Sequence, residues 1–183
     1  VPLIEYDDTE DCIAPLADWL EPGVVGVDKF WPAQFLIRLT QRRPDLLPAL
    51  GSGPVDLARM IKDEEEIKLL RESSRRNDRA IEALIRSLNE GMTELEGCAR
   101  FAAEGEKLGA SGQGFGALVC FGKNCAEPHH ASDRTPLQKG DAVILDVGLN
   151  VENYLSDMTR TVFFGRADDD RRRVFDLVLS ANE

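Results

Sequence analysis

The stretch Pro128-His-His-Ala-Ser-Asp-Arg-Thr-Pro-Leu-Gln-Lys-Gly-Asp-Ala-Val-Ile-Leu-Asp-Val-Gly-Leu-Asn-Val-Glu-Asn-Tyr-Leu-Ser-Asp-Met-Thr-Arg-Thr161 decides how the chain is read. Ala142–Val147 is apolar and β-branched, with Gly140 before it and Gly148 after it, and predicts a buried strand. Thr159–Phe164, ending at Gly165, predicts a second. The few residues between them point to a hairpin. Its two arms carry carboxylates where apolar residues are expected, Asp146 and Asp157. A symmetric hairpin with its turn centred on Val151–Glu152, or a four-residue loop Asn150–Asn153, sets these two directly opposite, with Cβ atoms about 5 Å apart. Like charges that close repel, and burying either alone costs several kcal/mol. Three arrangements relieve the conflict. One carboxyl is protonated; or a cation, or a pair of divalent ions roughly 3.5–4 Å apart, lies between them; or a bulge turns one of them to solvent.

The motifs Pro128-His129, Gly140-Asp141, Ile144-Leu145-Asp146-Val147-Gly148 and Tyr154-Leu155-Ser156-Asp157-Met158-Thr159-Arg160-Thr161, in this order, resemble the first half of the active site of the pita-bread metallopeptidases. That family includes Xaa-Pro aminopeptidases, prolidases, methionine aminopeptidases and the metal-free creatinases. Its peptidases hold two metals with five ligands: two Asp, then a His and two Glu further along the chain. The resemblance assigns Asp146 and Asp157 to the two Asp ligands, the first chelating one ion and the second bridging both. His129 matches the substrate-binding His that helps stabilise the tetrahedral intermediate; His130 beside it is read either as a loop residue or as a further substrate contact. Thr159 and Arg160 flank the second Asp; Thr159 shares the face of Asp157 by strand period and is placed to orient it. The chain contains no His beyond this pair, so the expectation is a fragment that stops, at Glu183, before the remaining three ligands.

The fold class implied is α+β: the first half of a pita-bread catalytic domain over 56–183, preceded over 1–55 by the tail of a creatinase-type α/β amino-terminal domain. The function implied for the full protein is a peptidase acting at the residue before proline, an Xaa-Pro aminopeptidase or dipeptidase. Its cofactor is two divalent ions, manganese first, with cobalt or zinc also compatible. Its substrate is a peptide with proline at the second position, and homodimers are common in the family. The competing readings are a non-peptidase hydrolase or lyase on the same fold, and a binding protein that has lost catalysis. The 183-residue chain alone is expected to be inactive.

Composition agrees with this range. A formal charge of −11 argues against nucleic acid or an anionic membrane surface as partner. No apolar run approaches the roughly 20 residues that span a bilayer. The start Val1-Pro2-Leu3-Ile4-Glu5 lacks a basic leader and an initiator Met, which suggests a trimmed amino terminus. Cys12, Cys98, Cys120 and Cys125 follow neither metal-hook nor disulfide-scaffold spacing, so reduced thiols and a cytoplasmic setting are expected. Cys125 near His129 raises the further option of a catalytic thiol.

Along the chain, Glu10–Leu20 is weakly helical, Val24–Asp28 reads as a strand, and Pro32 opens a helix to about Arg42. Pro44, Pro48, Gly51, Gly53 and Pro54 then break the pattern. The domain boundary is placed near Asp56–Lys62. Asp63 with Glu66, and Thr93 with Glu96, read as capping boxes opening two long amphipathic helices. Gly109–Gly116 is glycine-rich, but it follows a helix and precedes a strand, the reverse of a phosphate cradle. Asp168, Asp169 and Asp170 form an acidic first turn to a last helix.

Overall fold

The computed structural model describes residues 5–7 and 9–182; the first residues of the chain and Glu183, on which the expectations about its two ends rest, lie outside them. It divides into two compact units, Val1–Lys62 and Asp63–Glu183. The division falls at the end of the 56–62 stretch, not at 55/56. The reason is a helix, Ser52–Met60, that runs across the earlier position and belongs to the first unit.

In the first unit, α1 (Ile13–Trp19), β1 (Gly23–Val27), α2 (Ala33–Arg42), β2 (Leu46–Leu50) and α3 (Ser52–Met60) follow one another. β1 and β2 pair in parallel, Gly23 with Leu46 through Val27 with Leu50. Ile13, Ala17, Leu39 and Leu46 form its small core. The sequence reads β2 and α3 only as broken chain. Pro48 sits inside β2 opposite Val25, which a two-stranded sheet tolerates because each strand has a free edge for the missing N–H.

The second unit opens with α4 (Glu64–Ser87) and α5 (Glu94–Lys107). Both capping boxes are formed: Asp63 accepts from the backbone of Glu65 and Glu66, Thr93 from that of Glu96, and each glutamate reaches back to its cap N–H. Then come β3 (Gly112–Gln113), β4 (Leu118–Phe121), a 3-10 turn at Gly122–Ala126, β5 (Ala142–Val147), β6 (Leu149–Val151), β7 (Tyr154–Leu155), β8 (Met158–Phe163) and α6 (Asp169–Asn182). The strands form two antiparallel sheets, in the orders β4-β5-β8 and β3-β6-β7. The glycine-rich segment thus supplies β3, paired to β6, and no cradle. Burial alternates along β5: Val143, Leu145 and Val147 are fully buried, in one cluster with Ala80, Ile81 and Leu84 of α4 and Phe101 of α5.

The hairpin is kinked, and its register differs from the symmetric one above. The turn is the two-residue pair Glu152–Asn153, both at positive φ (51° and 66°), as hairpins with right-handed twist favour. Moving the turn one position along the chain shifts the pairing by two. Asp146 therefore lies opposite Thr159, not Asp157. The same register sets Gly148 against the Ser156–Asp157 step. A Cβ on Gly148 would stand 2.1 Å from the Ser156 carbonyl oxygen and 2.8 Å from Phe115, so only glycine fits between the two sheets. Two carbonyls at the kink also accept from side chains of α4, the Leu149 oxygen in addition to its backbone bond from Ser156 N (3.0 Å). Ser73 Oγ donates to the Leu149 oxygen (2.9 Å) and Asn77 Nδ2 to the Val147 oxygen (3.0 Å), both side chains being fully buried.

β8 is an edge strand with Thr159, Arg160 and Thr161 exposed, and α6 leaves Val174, Leu177 and Val178 more than half exposed. No helix among the described residues is long and apolar enough to cross a membrane.

Gly148→Ala is expected to lower the unfolding free energy by about 2–4 kcal/mol, at or above the upper end of overpacking costs because the obstacle is backbone. Gly116→Ala, where a Cβ meets nothing within 4 Å, should change it by less than about 0.5 kcal/mol. Urea denaturation followed by far-ultraviolet circular dichroism checks both.

Candidate metal centre and the histidine loop

Asp146 lies on the face of β5 turned away from the helices and is half-buried. Its Oδ1 accepts a hydrogen bond from Thr159 Oγ1 at 3.0 Å. Asp157 lies between β7 and β8 and is exposed. Among the described residues, Asp146 Oδ2 and both Asp157 oxygens accept no hydrogen bond, and neither side chain has a cationic partner. Thr159 was expected to serve Asp157; the register gives it to Asp146 instead. Arg160 turns away from both, with Nη2 3.1 Å from Asp78 Oδ1 on α4. Two carboxyls on one hairpin, with oxygen lone pairs unused, have the donor chemistry of a hard divalent cation site.

The histidines sit on the segment between β4 and β5. His129 is exposed in a turn, and His130 is half-buried. The His130 ring is directed onto Glu94, the first residue of α5, with Nε2 2.9 Å from Oε2. Glu94 is a functional candidate that the sequence hides. It follows the capping Thr93 and reads there as an ordinary first-turn acid, yet its side chain is 0% exposed. Its oxygens are satisfied by four donors: Phe121 N (2.8 Å) and Asn124 Nδ2 (2.9 Å) on Oε1, and His130 Nε2 (2.9 Å) and Asp133 N (2.9 Å) on Oε2. Nothing local marks it, because those partners lie 27 to 39 residues further on.

Glu94, His130 and Asp133 bring potential ligand atoms within 4.8 Å of one another, consistent in type and spacing with a divalent-metal site. Their bonding separates them from the hairpin pair. A cation on Glu94 would displace donors already in place, whereas one at Asp146 and Asp157 would meet unused oxygens. Of the two sets, the hairpin carboxyls are the ones with oxygens left unbonded.

The hydrogen bond that His130 donates to the Glu94 carboxylate holds the His130 pKa above its ordinary value against the opposing effect of burial, and the Thr135 hydroxyl and backbone hold Asp133 below its own. Burial pushes the Cys120 thiol up to about 12 and Cys125 upward as well. Cys125 Sγ donates to the carbonyls of Cys120 and Ala142, at 3.3 and 3.4 Å. These are protonated structural thiols, and a catalytic Cys125 finds no support.

Residues 68–183 match metallopeptidase family M24, and the chain belongs to that family. It is 34% identical over 150 residues to an uncharacterized peptidase of Staphylococcus saprophyticus, covering 78% of this chain and 43% of that one. It is similar to the crystal structure of a prolidase from Thermococcus sibiricus, with a TM-score of 0.90, 27% identity, and coverage of 97% of this chain and 50% of the other. It is likewise similar to the X-Pro aminopeptidase of Thermotoga maritima, with a TM-score of 0.77, 30% identity, and coverage of 82% and 42%. The chain thus spans half or less of the length of these relatives. Its mixed α/β fold resembles the pita-bread catalytic domain of Xaa-Pro peptidases over that part.

With only two histidines in the chain, each ring can be followed separately by NMR. His130 should titrate above 6.5, and Glu94→Gln should bring it back toward that value. Because the folded pKa is the raised one, the pair's stabilisation is complete below the unfolded pKa of about 6.5 and is lost as pH rises through the folded value. The urea midpoint of the native chain should fall across that window relative to Glu94→Gln.

Proposed function

We propose that this chain carries the metal-holding hairpin and substrate histidine of a dinuclear metallopeptidase acting at the residue before proline. The observation that carries the proposal is the Asp146–Asp157 pair, unneutralised and with unused oxygens, on the hairpin of an M24 family member. In finer detail, the second unit is the first half of a pita-bread domain and the first unit the end of a creatinase-type amino-terminal domain.

In this reading Asp146 and Asp157 would hold the two ions. Manganese is the first choice, with cobalt or zinc compatible with the same oxygen donors. Divalent ions held there would polarise the scissile carbonyl and lower the pKa of a bound water. Thr159 fixes one Asp146 oxygen, leaving Oδ2 free and in a set direction. Arg160, tied to Asp78, secures β8 against α4 rather than competing for either carboxylate. His129, exposed at the tip of its loop, donates to the substrate carbonyl as negative charge develops on its oxygen. His130 supports it from the buried side. The similarity to a prolidase and an X-Pro aminopeptidase supports proline at the second position of the substrate.

Calorimetric titration with Mn2+ tests the site. The chain, with two of the family's five ligands, is expected to bind in roughly the millimolar range. Asp146→Asn and Asp157→Asn should each weaken binding at least about tenfold, since loss of an outer-shell partner alone costs roughly 10–100-fold. No Xaa-Pro peptide should be hydrolysed by the 183-residue chain, whereas the full-length protein should cleave Ala-Pro peptides in preference to Ala-Ala. Mn2+ binding that survives both Asp substitutions but is lost in Glu94→Gln would overturn the assignment.

A further inference from the structure

Resting on the reading in which His129 meets the substrate, we infer that Glu94 is its positioning residue, a buried carboxylate that clamps both ends of the histidine loop. A fully buried carboxylate is costly unless every lone pair is used, and a chain keeps one where it fixes a conformation. Glu94 stands at the amino end of α5, where the helix dipole favours a negative charge. Its four donors come from the end of β4 (Phe121), the 3-10 turn (Asn124), the residue after His129 (His130), and Asp133 beyond it.

His129 therefore lies between two clamped points, Asn124 on one side and His130 on the other, and one side chain holds both. Further bonds fasten the far end to the start of the same helix. Glu94 N donates to the Thr135 oxygen (3.2 Å) and Leu95 N to the Asp133 oxygen (3.1 Å). Asn124 Nδ2 also reaches Thr135 Oγ1 at 3.1 Å. Ser132 Oγ takes the Val119 N–H and donates to the Val119 oxygen, both at 2.9 Å, tying the loop to β4. His129 itself is exposed, so its position depends on these neighbours rather than on packing of its own ring. The carboxylate belongs to a helix in the core cluster, and the anchor is as rigid as the fold.

The test follows the two histidine rings by 13C relaxation and the backbone by hydrogen exchange, in the native chain and in His130→Ala, His130→Gln and Glu94→Gln. His130→Ala removes one donor and leaves the core untouched. It should raise exchange over 124–133 at least about tenfold, as expected when a hydrogen bond to a charged group is lost, and should increase the motion of the His129 ring. His130→Gln, which keeps a nitrogen donor, should restore most of the order. Glu94→Gln should loosen the same segment further while Val143–Val147 stays protected. The inference is overturned if His130→Ala leaves the His129 ring as ordered as before, or if exchange rises equally in loop and core, which would make the pair a stabiliser only. Mn2+ binding is read separately at Asp146 and Asp157. A loosened loop with no metal bound sinks the peptidase reading and leaves the clamp standing; metal bound normally with an unaltered loop sinks the clamp alone.

Discussion

The close approach of Gly148 to the Ser156 carbonyl is the constraint on which the second unit depends. It forces a kink where β5 passes into β6, and the kink lets one hairpin contribute to two sheets. A kink breaks the ladder, and broken ladders leave buried carbonyls that must be paired. Asn77 bonds the Val147 oxygen, and Ser73 adds to the bond the Leu149 oxygen already has from Ser156 N, which explains polar residues on the otherwise apolar face of α4. The helix is thereby fixed to the hairpin by directed bonds as well as by packing. Asp146 lies immediately before the pinned Val147, and Asp157 immediately after Ser156. The two acids are held by backbone whose path has little freedom.

Most of the architecture can be read from local chemistry. Two capping boxes announce α4 and α5, alternation announces β5, and glycines mark the ends of strands. What escapes is governed by contacts distant in sequence. β2 hides behind Pro48, because a proline argues against a strand unless the sheet is known to have only two. The hairpin register hangs on whether Glu152 adopts a positive φ, which Asn153 readily does and a glutamate seldom does; a single step there moves each pairing by two. Two acids on the hairpin are visible in the sequence from their place among β-branched residues. The service of Thr159 to Asp146 is not, since it follows from the register. Glu94 is the least legible residue, because a first-turn acid has an adequate local explanation, and its burial arises from a loop folded over it.

The protein holds two groups of acids near its histidine loop and treats them in opposite ways. Around Glu94 each lone pair is met by an N–H donor, so the charge is neutralised by protein dipoles and one imidazole. Glu94 itself therefore has no oxygen left unbonded. Around Asp146 the protein supplies a single hydroxyl, and around Asp157 nothing, although Arg160 is close enough in sequence to have neutralised either and is bonded to Asp78 instead. The contrast separates a carboxylate whose oxygens are all bonded from carboxylates whose oxygens are largely unbonded. It does so by hydrogen-bond accounting that residue type and proximity alone would miss: by proximity Glu94, His130 and Asp133 look the better metal site, and by unused lone pairs they are the worse one.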